Sequence, residues 1–188
     1  MNIVLASGSP RRLELLKKIG IDDFTVIVDT SEEVIIPGLS PDEQVVRLSL
    51  QKARNVALKC NKDDIIIAAD TIVYLEEKPL GKPDSQTDAK NMLKALSGRK
   101  HSVYTGVTLL NGDKYVSHAE KTDVWFREIS DSEINAYVET GEPMDKAGSY
   151  AAQGRAAVFV ERIKGDFFNV MGLPLCKLSQ MLKEFGVG

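Results

Sequence analysis

The sequence predicts an α/β fold: one domain with a mixed, twisted β-sheet flanked by helices. Three observations predict it. Strand-like and helix-like segments take turns from the first residues onward, the pattern that builds layered α/β domains. Two alternating runs either side of Asn111-Gly112 mark a hairpin, so part of the sheet is antiparallel. The 188 residues, 43% hydrophobic and 27% charged, suit a single domain over residues 1–188 with enough core to bury about 70% of its unfolded surface.

The elements follow in order. "NIVLA" is a short buried strand, after which Ser9 can cap a helix whose first position is Pro10, where a missing N–H costs nothing. Leu13, Leu15, Leu16 and Ile19 give that helix an inward face, and Gly20 ends it. "FTVIVD" reads as the next strand. Ser40-Pro41-Asp42-Glu43 is a capping box that opens a helix running to about Lys59, with Val45, Leu48, Ala53 and Val56 turned inward. Residues 65–75 form a continuous apolar strand broken by one acid, Asp70. An amphipathic helix, "DAKNMLKALSG", precedes the hairpin, and Ser130 with Glu133 caps "EINAYVETG". Two further strands are expected near "AAVFVERI" and "FFNVM", then a helix from Pro174 to Phe185 stopped by Gly186.

Several function classes drop out. No apolar run approaches the ~20 residues of a membrane span, and the N-terminal segment lacks the charge order of a secretory signal, so no membrane partner and a cytoplasmic location are expected. Cys60 and Cys176 match no zinc spacing and read as free thiols, while His101 and His118 read as structural. A formal charge of −3 gives no basic stripe, so no polynucleotide partner is expected. "LGKPD" lacks the glycine and hydroxyl of a P-loop, and Asp70-Thr71-Ile72 lacks the second aspartate of a phospho-aspartyl motif. Zincin helices and serine-hydrolase elbows are likewise absent from the sequence.

Two features of charge remain. Arg11 and Arg12 stand in the first helical turn, where cations oppose the macrodipole and anions are favoured. With Ser7, Gly8 and Ser9 beside them, they read either as a cradle for phosphate, whose oxygens suit a guanidinium fork, or as a solvated face. Asp70 is the second feature, since an ionised carboxylate in an apolar strand costs several kcal/mol without a compensating cation, metal or donor set. Lys52, near the inward stripe of its helix, and Lys82, in "LGKPD", are candidate partners. Taken singly, the first reads rather as a lysine snorkelling to water and the second as an ordinary loop charge.

"SGSPRR", Glu32-Glu33, "QKAR" around Lys52, "AADTIV" around Asp70, "GKP" at Lys82, "SGRKHSVYTGV", "DKAGSYAAQG" and "GLPL" occur in this order along almost the whole chain. Together they resemble the Maf family of nucleoside triphosphate pyrophosphatases. The resemblance implies hydrolysis between the α and β phosphates to a nucleoside monophosphate and pyrophosphate, with a divalent metal cofactor, magnesium or manganese. It implies a fold similar to that of the inosine triphosphatases, with two lobes around a nucleotide cleft, and a homodimer. By matching positions, Asp70 looks like the catalytic acid and a metal ligand, with Glu33 as second ligand; whether Asp70 is base or chiefly ligand stays open. Ser7, Arg12, Lys52 and Lys82 look like the triphosphate grip. Arg11, Thr71 and Gln153 resemble the trio of the subgroup acting on dTTP and UTP, rather than the tryptophan, glutamine and glutamate of the subgroup acting on 7-methylguanosine triphosphate. Gln153 offers a donor and an acceptor to the O4 and N3 edge of thymine or uracil. Ala151 and Ala152 replace an expected glycine and larger aliphatic residue. A regulator of cell division that binds nucleotide without turnover is the alternative of another class.

Overall fold

The computed structural model of the protein describes residues 2–187. The elements are β1 (Ile3–Leu5), α1 (Pro10–Lys18), β2 (Thr25–Val26), α2 (Pro41–Ala57), β3 (Ile65–Leu75), β4 (Lys78–Leu80), α3 (Gln86–Leu96), β5 (Lys100–Asn111), β6 (Lys114–Phe126), α4 (Asp131–Glu139), β7 (Val160–Lys164), α5 (Phe167–Val170) and α6 (Leu175–Glu184), with short 3-10 turns between α4 and β7. The strands form one sheet in the order β2-β1-β3-β5-β6-β7, with β4 added on β3. It is mixed: β1 runs parallel to β2 and β3, whereas β4 is antiparallel to β3 and β7 to β6. This is the α/β class the alternation predicts.

The chain divides into two compact units. The first comprises residues 1–70, 105–120 and 172–188. Its core joins Val4 and Ala6 of the β1 segment, Ala53 and Val56 of α2, Ile66 and Ala68 of β3, and Leu110 of β5. The predicted inward stripe of α2 is buried, and its capping box forms, with Glu43 N–H donating to Ser40 Oγ at 3.3 Å and Ser40 N–H to Glu43 Oε2 at 2.9 Å. The second unit comprises residues 71–104 and 121–171. Val73, Leu93, Leu96, Val103, Phe126 and Val138 are in its core. The capping box of Ser130 and Glu133 opens α4 as expected.

Four local expectations are corrected. "FTVIVD" pairs only over Thr25 and Val26, both exposed at the sheet edge. Ile27 N–H donates to Leu5 O, and then Asp29 turns on itself by accepting from Ser31 N–H at 3.1 Å and Ser31 Oγ at 2.7 Å, a local turn that competes with the ladder. "FFNVM" is the short helix α5 rather than a strand, because Asp166 caps it, accepting from Phe168 N–H at 2.7 Å. "AAVF" is a 3-10 turn, leaving a single strand, β7, in that region. Ser9 takes the N-cap position of α1 with extended backbone, but its hydroxyl makes no capping bond.

Candidate active site

In the first unit, the loop after β1 turns straight into α1. Ser7 is buried, and its Oγ accepts from Ser9 N–H at 3.3 Å and Arg12 Nη1 at 3.1 Å. Arg12 Nε donates to the carbonyl of Gly172 at 2.8 Å, so the start of "GLPL" orients the guanidinium that "SGSPRR" supplies. Burial lowers the Arg12 pKa, the charges of Asp70 and Glu33 oppose that shift, and neighbouring Arg11 adds to it. With no acid in its first turn, α1 presents its N-terminus and two arginines together.

The second half of this site is set by how α2 docks. Gly106 of β5 lies so close to α2 that a β-carbon there would stand 2.0 Å from Val45 O. Beside that contact, Ser49 Oγ and Thr108 Oγ1, both buried, share a hydrogen bond of 2.8 Å. One turn further along α2 is Lys52, whose Nζ reaches Asp70 Oδ1 at 2.5 Å and Glu33 Oε1 at 2.6 Å. The Asp70 side chain is 5% exposed, that of Lys52 14% and that of Glu33 48%, so the pair is largely desolvated and Glu33 closes its solvent side. The predicted need of Asp70 for a cation is met by Lys52.

The segment that carries Glu33 has no regular secondary structure and is held by polar groups of α2. Gln44, 1% exposed, accepts from Ile36 N–H at 3.0 Å and donates to Val34 O at 3.2 Å. Asn55 donates to Asp29 Oδ2 at 3.2 Å and Ser31 Oγ at 3.0 Å. Partial burial opposes ionisation of Asp29, but the bonds from Ser31 and Asn55 and the charge of Lys52 hold its pKa below the ordinary value. Sequence reasoning missed Gln44, Asp29, Ser31 and Asn55. Gln44 carried a signal, since it precedes Leu48 by one helical turn on the apolar face, where a lone amide needs partners.

Lys82, Thr71 and Gln153 belong to the second unit. Lys82 is exposed, and the loop before it is tied to the "DKAGSY" segment by a bond of 3.0 Å from Gly148 N–H to Gly81 O. Thr71 is half-buried and follows Asp70 on β3. Gln153 is exposed in a turn anchored by Glu142, whose Oε1 accepts from Arg155 N–H and from Tyr137 Oη, both at 3.0 Å. Tyr137 Oη in turn accepts from Ala151 N–H at 3.3 Å. Gly154 leaves room for this carboxylate, since a β-carbon there would lie 2.1 Å from Glu142 Oε1.

The histidines and cysteines stand apart from this chemistry. His101 is buried against Tyr150, His118 pairs with Glu120, and both cysteines are free. A cavity of about 300 Å³ lined by Asn2, Asp23, Phe24, Thr25 and Val187 contains none of the site residues.

A divalent metal fits the donor set in one particular way. Asp70 and Glu33 both turn a carboxylate oxygen to the same point, and hard oxygens suit magnesium and manganese. No group of three or more His, Cys, Asp and Glu side chains arranged for a metal occurs among the described residues. Were a metal held here, these two carboxylates would be the protein's ligands, and phosphate oxygens and water would complete the shell, the usual manner of magnesium binding on nucleotides.

A protein of Bacillus cereus strain AH820 named dTTP/UTP pyrophosphatase is 49% identical over 185 residues, covering 98% of this chain and 96% of its own. A protein of the same name from Methanosarcina barkeri is 49% identical over 187 residues, covering 98% and 94%. Among solved structures, a HAM1 protein from Coxiella burnetii matches with a TM-score of 0.55 at 18% identity, and the Staphylococcus aureus Ham1 protein with 0.52 at 16%; each match covers 98% of this chain and 99% of the other. Those two likenesses establish the fold, a mixed sheet flanked by helices. The family profile described as Maf-like protein matches residues 2–185, and the chain belongs to the Maf family.

Proposed function

We propose that the chain is a nucleoside triphosphate pyrophosphatase that hydrolyses dTTP and UTP to the nucleoside monophosphate and pyrophosphate. The observation that carries the reading is the buried Asp70 carboxylate bridged through Lys52 to Glu33, with the electrostatic field of Arg12 acting on it. Relatives 49% identical over nearly the full length are named for this reaction.

The residues divide the work by charge. Arg12, steadied by Ser7 and Gly172, and Lys52 hold triphosphate oxygens, and Lys82 is assigned to the same grip on the resemblance. Asp70 orients the attacking water and takes up its proton, a task suited to a carboxylate shielded from bulk solvent. Asp70 and Glu33 would hold a magnesium or manganese ion, which would supply Lewis-acid relief of charge on the phosphate oxygens. Arg11, Thr71 and Gln153 set the preference for a pyrimidine base, with the Gln153 amide pairing to its O4 and N3 edge. The resemblance extends to a homodimer, and among the described residues no helix is long and apolar enough to cross a membrane.

The test is a pyrophosphate-release screen over dTTP, UTP, the purine triphosphates and 7-methylguanosine triphosphate, with magnesium and with manganese. Catalytic release from dTTP and UTP in preference to the others is expected. Saturation at one nucleotide per site without release would establish the binding-only regulator instead.

A further inference from the structure

Lys52 stands where a dication shared by the two carboxylates would stand. Its Nζ is 2.5 Å from Asp70 Oδ1 and 2.6 Å from Glu33 Oε1, while magnesium lies about 2.0–2.1 Å from its oxygen ligands. The two cations cannot occupy that space together. Asp70 is fixed on an eleven-residue strand and Lys52 on a helix docked through Gly106 and Ser49, so the part able to yield is the flexible four-carbon stem of the lysine.

We propose that Lys52 is a resident counter-ion that keeps the carboxylate pair closed to free metal, and that the species this site takes up is the metal complex of the triphosphate. This rests on the pyrophosphatase reading above. On arrival of the complex, the Lys52 ammonium moves from the carboxylates to a phosphate oxygen, which leaves Asp70 and Glu33 as the side chains that would hold the dication. The buried Asp70 keeps a cation throughout, which avoids the cost of an unpaired carboxylate at a position 3% exposed. An ammonium suits such an exchange because its three donors impose no planar fork on the partner.

The experiment is a manganese titration of the whole protein followed by the electron paramagnetic resonance signal of the free ion. For the wild-type chain, manganese alone binds weakly, and a non-hydrolysable α,β-methylene analogue of UTP strengthens its binding. In Lys52→Met, manganese alone binds about tenfold or more tightly, the direction set by removing a positive charge a few ångströms away. Lys52→Arg keeps the charge and leaves manganese binding as weak as in the wild type. Asp70→Asn combined with Lys52→Met abolishes the gain, which assigns it to this carboxylate. If Lys52→Met does not fold, as judged by circular dichroism, Lys52→Gln is read in its place. Manganese binding unchanged or weakened on loss of the ammonium overturns the proposal. Pyrophosphate release from dTTP and UTP by the wild type is scored separately, so its failure would refute the pyrophosphatase reading and not be confused with a failure of the counter-ion.

Discussion

Gly106 faces the carbonyl of Val45 at a distance that no side chain permits, because a β-carbon would stand 2.0 Å from the oxygen and 2.3 Å from the carbonyl carbon. The glycine is required for close approach of a helix to a strand, and the helix is the one that delivers Lys52. Gly106→Ala is therefore expected to destabilise the protein by about 1–3 kcal/mol, as overpacking does, and to displace α2 at its docking point. Urea denaturation measures the first effect. Turnover should fall even at temperatures where the variant is fully folded, and unchanged kcat/KM would show that the position of α2 does not matter to the site.

Asp70→Asn keeps the shape of the side chain and removes its charge. Lys52 retains Glu33 at 2.6 Å, so the ammonium is not stranded and the fold should persist. Turnover is expected to drop by ~10² to 10⁴, the range for losing a positioned acid or base. Steady-state pyrophosphate release from dTTP, with a thermal melt as control, checks both halves. Near-normal rates would remove Asp70 from the mechanism.

What the sequence makes legible is whatever local spacing decides. The capping boxes at Ser40 and Ser130, the inward stripe of α2 and the eleven-residue β3 all appear as read, because each depends on residues within a few positions of one another. The anomaly of Asp70 is visible for the same reason, as one charge in an apolar run. Where competition between local bonds decides, reading from pattern fails: β2 stops early because Asp29 turns back on Ser31, and "FFNV" is helical because Asp166 caps it, although a short apolar run reads as a strand. Gln44 shows itself as an amide on an apolar face, yet its partners at residues 34 and 36 lie in a segment without periodicity. The demand for glycine at 106 is out of reach of pattern altogether, since only the placement of α2 creates it.

Glu142 governs the turn that carries Gln153. Its carboxylate accepts from Arg155 N–H at 3.0 and 3.2 Å and from Tyr137 Oη at 3.0 Å, so Glu142→Ala removes the anchor of the turn. On the proposed reading the Gln153 amide must be held to a fraction of an ångström to read the base, whereas Asp70, proposed as catalytic, and Lys52, proposed to hold phosphate, lie on other elements. KM for dTTP and UTP should rise by roughly tenfold with a much smaller change in kcat, and discrimination against purine triphosphates should narrow. Glu142→Gln, which keeps an acceptor oxygen, should recover most of the selectivity. Equal losses in kcat for all bases would mean that Glu142 supports the fold alone.

His101 gives the protein a pH-dependent stability distinct from its catalysis. The ring is 1% exposed, shares a hydrogen bond of 2.8 Å with Tyr150 Oη, and lies edge-on to Phe126 at 4.8 Å. Burial lowers its pKa from 6.5 to about 4, against the opposing influence of the Arg99 backbone and the charge of Asp123. Above pH 6.5 the imidazole is neutral in both folded and unfolded chains and contributes no pH dependence. As pH falls from 6.5 towards 4, only the unfolded chain gains the proton, so stability falls by up to about 1.4 kcal/mol per pH unit and by roughly 3 kcal/mol over the window. Urea midpoints between pH 7 and 5 isolate the effect, because carboxylates with lowered pKa values, such as Asp29 and Asp123, respond only at more acidic pH. In His101→Gln the decline over that range should flatten relative to wild type, and a wild-type slope retained in the variant would show that another group carries it.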